Sequence, residues 1–288
     1  MEVFSSISET RAICCAAKKC GRLGLVPTMG ALHEGHLSLV RAARGQCDAV
    51  AVSLFVNPTQ FSPNEDLAKY PRTFERDCEL LEKENVDILF APAAAEMYPK
   101  GASTFVSVEG LSEKLDGKSR PGHFRGVTTV VSKLFHIFEP DRAFFGQKDA
   151  AQVAVIRRMV DDLDIPVEIV VCPIVREPDG LAMSSRNIYL DVAQRKSALV
   201  LSRSLREVEA EFKAGQREAP VLAAAGSKAV ASEPGVRLDY FEIVDPDTLD
   251  PVDKVAKPAL VAVAAYVGNT RLIDNTVLAD ASPDLLRP

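Results

Sequence analysis

Hydrophobic residues follow two alternating patterns along the first 175 positions. Short apolar runs occur at 22–26 (RLGLV), 49–56 (AVAVSLFV), 87–91 (DILFA), 142–146 (RAFFG) and 167–171 (VEIVV). Runs that are apolar at nearly every position predict strands covered on both faces. Between them the spacing becomes that of helices. Val127, Val130, Val131, Leu134, Phe135 and Phe138 form one stripe. Val153, Ile156, Val160 and Leu163 form a second, and Phe74, Cys78 and Leu81 a shorter third. Apolar residues recurring every third and fourth position predict amphipathic helices. Strands alternating with helices predict an α/β protein, with a doubly wound, Rossmann-like parallel sheet. Right-handed crossovers then place the loops after the strands along one edge, where ligands bind.

Beyond about residue 175 the pattern changes. A helix is predicted around Leu201, Leu205, Val208 and Phe212, then an Ala-rich helical segment over 221–231. Strand-like runs follow at 238–244, 260–267 and 271–273. We expect a domain over 1–175 and a smaller C-terminal α+β domain over 176–288, divided at the turn-rich REPDG of 176–180. The length of 288 residues fits two domains at about 150 residues each. The tail 280–288 reads as frayed.

Composition narrows the function. The chain is 47% hydrophobic and 26% charged, an ordinary globular balance. A net charge of −6 without a Lys/Arg block makes non-specific nucleic-acid binding unfavourable. No apolar stretch of about 18 residues predicts a membrane span, and the N-terminus lacks a secretory pattern. Six scattered cysteines with no CxxC pair suggest small apolar fillers in a reducing cytoplasm.

Five segments carry candidate chemistry. VPTMGALHEGH (26–36) leaves a strand and enters a helix. Backbone N–H groups and the positive helix end there suit a phosphate. Gly30 permits a close approach, and His33 and His36 share one face of the first turn. The alternatives are a metal pair or two surface histidines, although HExxH spacing is absent. LFVNPTQF (54–61) ends the second strand; Asn57 and Gln60 are neutral hydrogen-bonding groups suited to a hydroxy acid, or Asn57 is a local cap. FGQKDAAQ (145–152) ends another strand. Gly146 gives room, Lys148 supplies a point cation, and Asp149 either accepts from ribose hydroxyls or caps the helix. VREPDGLAMSSRN (175–187) offers two hydroxyls and a guanidinium to wrap a triphosphate, or a plain helix start. The local cations Arg120, His123 and Arg125 in KSRPGHFRG read either as a solvated loop or as part of a site. His136 reads as a core-edge residue, and the charged run 75–84 as a solvated helix face.

HxGH after the first predicted strand resembles the nucleotidylyltransferase superfamily, which class I aminoacyl-tRNA synthetases share. PTMGALHEGH, FVNPTQF, FFGQKD and MSSRN together resemble the pantoate–β-alanine ligase family over most of the chain. The resemblance implies an ATP-dependent ligase that joins (R)-pantoate to β-alanine through a pantoyl adenylate. It implies an ATP site from Met29, Gly30, Ala31, Leu32, His33, Glu34, Gly35 and His36, with Gly146, Gln147, Lys148, Asp149, Val175, Met183, Ser184, Ser185 and Arg186. Val175 would touch adenine through its backbone. His33, His36, Lys148, Ser184, Ser185 and Arg186 would stabilise phosphate charge, with Mg²⁺ held mainly through the phosphates. His36 is also a candidate proton donor, its charge state left open. Gln60, Gln152 and Asn57 would bind pantoate, and Tyr70 would belong to a gate over the site. An arginine like Arg120 lies near the phosphates or the dimer region, and the family suggests a homodimer. Many members read KDYQQ where this chain reads KDAAQ, so the packing beside Gln152 could differ. Three other readings stay open: a nucleotidylyltransferase for a phosphate substrate, a nucleotide-binding regulator without catalysis, and a tRNA-synthetase fragment, which the acidic balance opposes.

Overall fold

A computed structural model describes residues 1–62 and 66–280. The tail 281–288, read above as frayed, lies outside the described residues. The strands are β1 (Glu2–Phe4), β2 (Leu23–Thr28), β3 (Ala49–Leu54), β4 (Ile88–Phe90), β5 (Arg142–Gly146), β6 (Glu168–Cys172), β7 (Val236–Val244), β8 (Ala259–Val267) and β9 (Thr270–Leu278). The helices are α1 (Ile7–Lys18), α2 (Glu34–Arg44), α3 (Phe74–Lys83), α4 (Ala94–Met97), α5 (Asp116–Ser119), α6 (His123–Phe138), α7 (Ala150–Asp162), α8 (Val192–Ala198), α9 (Val200–Lys213) and α10 (Ala219–Ala231).

The first six strands form one sheet in the order β1-β4-β3-β2-β5-β6, every neighbour parallel. The five predicted strands are all present. The sixth, β1, escapes prediction because it is an edge strand with its first two residues exposed and shows no apolar run, whereas the equally short β4 is wholly buried. From β2 the chain builds outward through β3 and β4, then returns to the other flank of β2 with β5. Connections therefore diverge between β2 and β5. In an open parallel sheet, the carboxyl ends of two such strands part to leave a crevice.

Core packing explains the strand pattern. On one face Leu23, Leu25 and Ala51 pack with the α6 stripe, including Val127, Val131, Leu134 and Phe138. On the other, Val26, Val50, Val52 and Phe144 pack against Leu39, Val40 and Leu81. Coverage of both faces is what makes the strands apolar throughout. The cysteines divide: Cys14, Cys47 and Cys172 are buried, whereas Cys15 and Cys20 are exposed, so the filler reading holds for only part of the set. His136 is exposed on α6 rather than at the core edge, with Nδ1 beside the Ser132 carbonyl at 2.7 Å.

The antiparallel sheet β7-β8-β9 is covered by α9 and α10, with Val261, Val263 and Ala265 facing Leu205, Val208 and Leu222 in a separate core. Polar ties join the two sheets. Arg271 on β9 meets Asp116 at 2.7 Å and Asp239 at 2.8 Å. Arg176 grips Asp274 of β9 with two bonds of 2.7 and 2.9 Å. The predicted REPDG turn is a small antiparallel loop, bridged between Arg176 and Ala182.

One close approach shapes the crevice. Gly126, in the first turns of α6, lies against the 57–60 turn so tightly that a Cβ there would stand 2.3 Å from the Thr59 carbonyl oxygen and 2.6 Å from the Gln60 Cα. Backbone cannot swing aside as a side chain can. We expect Gly126→Ala to destabilise the fold by about 1–3 kcal/mol, as core overpacking does, and to displace Gln60; thermal unfolding and hydroxy-acid affinity measure the two effects.

Candidate active site

The HxGH loop leaves β2 at its carboxyl end and is held by its own side chains. His33 is the N-cap of α2, and its Nδ1 accepts from the Gly35 N–H at 3.2 Å. The Nδ1 of His36 accepts in turn from the His33 N–H at 3.3 Å. The two imidazoles thus build a capping box, a role usually taken by Ser and Glu. Gly35 is small because the His33 ring folds over it: a Cβ at 35 would stand 2.9 Å from His33 Cε1. With Nδ1 accepting in each ring, the neutral form of each carries its proton on Nε2. The ring centroids lie 4.1 Å apart. Burial pushes His33 down to about 4, helped by the charge of Lys148. Burial and the neighbouring His33 push His36 down to about 3. At neutral pH both are uncharged donors. Burial thus favours the neutral form of His36, with its proton on Nε2.

The backbone amides of the loop are engaged. Asp77, only 1% exposed, accepts from the Ala31 N–H at 2.8 Å and the Leu32 N–H at 2.9 Å, and from the Thr73 hydroxyl at 3.1 Å. It holds the turn in which Gly30 (φ 82°) and Ala31 (φ 51°) take left-handed backbone. The loop therefore presents imidazoles more than an open nest of amides. Sequence analysis placed Asp77 on a solvated face and missed this. Its signal was position: Asp77 lies on the same face as Phe74 and Leu81, a charge on an otherwise apolar stripe. Glu34 turns outward to pair with Arg41 and does not join the site.

Across the crevice, the turn after β5 carries Lys148 and Asp149. Asp149 starts α7 without a capping hydrogen bond, so the plain cap reading fails. Its carboxylate lies 3.4 Å from Lys148 Nζ. Although burial opposes the charge, Lys148, His36 and Arg186 together hold Asp149 below the usual carboxylate range. The turn itself is gripped from β9. Asn275 donates through Nδ2 to the carbonyls of Gln147 and Lys148, both at 2.9 Å, and accepts from Gln147 Nε2 at 3.3 Å. The Gln147 side chain is thereby engaged. The signal for Asn275 was a polar Asp-Asn pair inside an apolar strand.

The MSSRN segment closes over the HxGH loop. Ser185 Oγ donates to the Ala31 carbonyl at 3.3 Å, and Met183 Cβ stands near Gly35. Ser184 caps a short 3-10 turn by accepting from the Arg186 N–H at 3.2 Å. Val175 accepts from the Met183 N–H at 3.0 Å. Asn187 donates to Glu177 at 2.8 Å, and Arg195 bridges Glu177 and Asp179.

Two chambers result. The larger, about 660 Å³, lies between the two sheets and reaches Lys148, Ser184 and Arg186. The smaller, about 190 Å³, opens from the ends of β2, β3 and β5 and is walled by Phe55, Val130, Val131 and Leu134. Arg120, His123, Asp149, Gln152 and Arg186 border both. The 118–126 loop is therefore part of the crevice. His123 Nδ1 stands 2.8 Å from the Gln60 carbonyl and donates to it, leaving Nε2 to accept from Arg120 at 3.0 Å. Gln60 and Gln152 line the smaller chamber. Asn57 borders it too, but its amide is occupied: it donates to Gln60 Oε1 at 3.0 Å and the Gly126 carbonyl at 3.1 Å, and accepts from Tyr98 at 2.9 Å. Asn57 is a cap that fixes the Gln60 amide, with Gln60 Nε2 directed to Met29 Sδ at 3.0 Å. Tyr70 is buried at this chamber and stacks edge-on against Phe61. Gly146 borders it with open space where a Cβ would be. In the KDAAQ departure, Ala151 is buried in the main core and Ala150 packs at its edge.

Removing the Asp77 carboxylate leaves the Ala31 and Leu32 amides unpaired. Asp77→Ala should destabilise the protein by about 3 kcal/mol and slow turnover on the order of 10²-fold; denaturant unfolding and rate assays check both. The histidines titrate near 6.5 when unfolded but near 4 and 3 when folded. Between these values the unfolded chain binds more protons, so stability is lost as pH falls from about 6.5 towards 3. Urea unfolding at pH 7 and pH 5 should show the loss, and His33→Gln should reduce it.

Comparison with known proteins fits this geometry. A sequence profile described as Pantoate-beta-alanine ligase matches residues 2–277. The pantothenate synthetase of Koribacter versatilis is 63% identical over 282 residues, covering 98% of this chain and 97% of that one. The crystal structure of pantothenate synthetase from Thermus thermophilus superposes with a TM-score of 0.92 at 48% identity, covering 96% of this chain and 99% of that one. The pantoate-beta-alanine ligase of Francisella tularensis, a structure complexed with beta-gamma ATP and beta-alanine, gives a TM-score of 0.78 at 35% identity, covering 96% and 97%. On sequence and fold alike, the chain belongs to the pantoate-beta-alanine ligase family.

Proposed function

We propose that the protein joins (R)-pantoate to β-alanine at the expense of ATP, giving pantothenate, AMP and pyrophosphate by way of a pantoyl adenylate. The observation that carries the reading is the pair of chambers with one shared wall. A small chamber with an apolar wall of Phe55, Val130, Val131 and Leu134 and the two carboxamides of Gln60 and Gln152 suits a branched hydroxy acid. A large chamber with Lys148, Ser184 and Arg186 suits a nucleotide triphosphate. The ATP and β-alanine of the Francisella relative support the same assignment.

In the first step a pantoate carboxylate oxygen attacks the α-phosphorus, and the bond to the β-phosphate bridge breaks, releasing pyrophosphate. In the second, the β-alanine amine attacks the acyl carbon; AMP leaves with the anhydride oxygen, and the amine proton passes to solvent. A carboxylate is a poor acyl donor because oxide leaves badly, and adenylation replaces it with a stabilised leaving group. The protein supplies position and charge. His33 and His36 donate neutral Nε2–H groups to phosphate oxygens. Lys148 and Arg186 offset the charge, and the Ser184–Ser185 loop closes over it. A neutral imidazole serves as a donor without releasing its proton. Glu34 and Asn57 take no direct part. Asp149, a carboxylate bordering both chambers, would help hold a phosphate-bound Mg²⁺, which would supply charge neutralisation.

In this reading residues 1–175 bind ATP and pantoate, residues 176–288 act as a lid, and Tyr70 belongs to the gate. The enzyme works in the cytoplasm, as six free thiols favour, and as a homodimer. No helix among the described residues is long and apolar enough to cross a membrane.

Product analysis tests the reaction. With ATP, Mg²⁺, pantoate and β-alanine, AMP and pyrophosphate should accumulate together. Without β-alanine, pyrophosphate should stop near one equivalent per site; without pantoate, none should form. Sustained AMP release lacking either substrate would refute the scheme. Lys148→Ala should lower the rate about 10²–10³-fold.

A further inference from the structure

Glu177 lies in the small antiparallel loop that precedes the MSSRN segment, and Arg195 lies on α8, which follows it. Arg195 Nη1 donates to Glu177 Oε1 at 3.0 Å and Nη2 to Oε2 at 2.8 Å, a two-bond fork. The same guanidinium meets Asp179 through Nε at 3.1 Å and Nη2 at 2.7 Å. Glu177 Oε1 also accepts from Asn187 Nδ2 at 2.8 Å, and that Nδ2 reaches the Ala182 carbonyl at 3.2 Å. One carboxylate therefore ties the chain before the serines to the residue that directly follows Arg186. One guanidinium on the next helix fixes that carboxylate. The stretch 177–195 is closed on itself, with Ser184, Ser185 and Arg186 at its middle.

Neither Arg195, Glu177 nor Asp179 borders either chamber, whereas Asn187 borders the larger one beside Ser184 and Arg186. The side chains of Arg195 and Glu177 are 26% and 28% exposed, and ion pairs so near the surface contribute little to folding. What a planar fork adds at such a place is direction. A guanidinium holds a carboxylate in one orientation, which a point cation does not. The oriented carboxylate in turn orients Asn187. The charge of Glu177 also acts on His33, against the push of burial. A carboxylate that close to the HxGH loop would repel a triphosphate, and Arg195 offsets it.

We propose that Arg195 is a positioning residue for the triphosphate: through Glu177 and Asn187 it holds Ser184, Ser185 and Arg186 in the arrangement that receives the phosphates. This rests on the ATP reading above and adds to it the group that orients the phosphate-binding segment from outside the chamber.

The test measures pyrophosphate release with β-alanine present, varying ATP and pantoate in turn. Arg195→Ala should lower kcat/KM for ATP on the order of 10²-fold and leave the KM of pantoate within about twofold. Arg195→Lys keeps the charge but not the fork, and should recover part of that loss and not all of it. Asn187→Ala cuts the same connection. Combined with Arg195→Ala, it should lower kcat/KM for ATP no further than the worse single variant. Arg203→Ala breaks the Arg203–Glu233 pair elsewhere in the second domain and should leave both constants unchanged. Thermal unfolding checks that each variant folds, and Arg195→Lys carries the comparison if Arg195→Ala does not. Native kcat/KM for ATP in a folded Arg195→Ala or Arg195→Lys variant overturns the proposal. So does an equal rise in KM for both substrates, or losses that multiply in the double variant. A native enzyme that releases no pyrophosphate from ATP and pantoate overturns the functional reading itself, so the two failures are distinguishable.

Discussion

The site depends on one constraint: the loop after β2 must hold two imidazoles in fixed rotamers while its own amides stay satisfied. Asp77 takes the Ala31 and Leu32 amides from below. The histidines take the Gly35 and His33 amides from above. Each ring thus uses Nδ1 for the fold and keeps Nε2 for the crevice. The same bonds set the chemistry. A ring that accepts at Nδ1 cannot add a proton there without breaking its cap, and burial opposes the added charge as well. Fold stability and electrostatic function therefore demand the same neutral tautomer.

Topology then decides what meets that loop. Because the chain builds β3 and β4 on one side of β2 and β5 on the other, the loops after β2 and β5 are adjacent without being joined. Lys148 and Asp149 thereby face the histidines across the crevice, and the 57–60 turn after β3 forms the third side. A cationic group paired with a carboxylate at that point is a compromise. Asp149 lowers the net positive charge that Lys148 and Arg186 would otherwise concentrate there, which limits repulsion before a triphosphate is bound.

The main architecture was legible because sheet burial leaves a strong periodic trace. Strand 142–146 was placed to the residue, and the helices followed their stripes. The exposed edge strand β1 and the four-residue helices α4 and α5 leave no such trace. At the site, residue types chosen for chemistry were readable from motif and position: His33, His36, Lys148, Gln60 and Gln152 all border the crevice or its loops. Residues that act by holding others were not. Asp77 and Asn275 work through hydrogen bonds to backbone separated by 46 and 127 residues, and the sequence does not encode such a partner locally; His123 was readable as a site candidate, but not its bond to the Gln60 carbonyl. Asn57 illustrates the reverse error: its residue type suited a ligand, but Gly126 and Tyr98 already occupy its amide.

The second sheet acts on the site through backbone rather than through a catalytic side chain. Asn275 fixes the two carbonyls that set the direction of the Lys148 turn, while its neighbour Asp274 binds Arg176 at the root of the MSSRN segment. Two adjacent residues on β9, with side chains on opposite faces of the strand, therefore reach both the Lys148 turn and the root of the MSSRN segment. A shift of β9 would move the ammonium and the serine loop together. In the proposed reading, where residues 176–288 act as a lid, such coupling would bring the ammonium and the serine loop into place in one motion. In the proposed reaction that favours adenylation only in a closed crevice, where water is excluded from the mixed anhydride before the amine arrives.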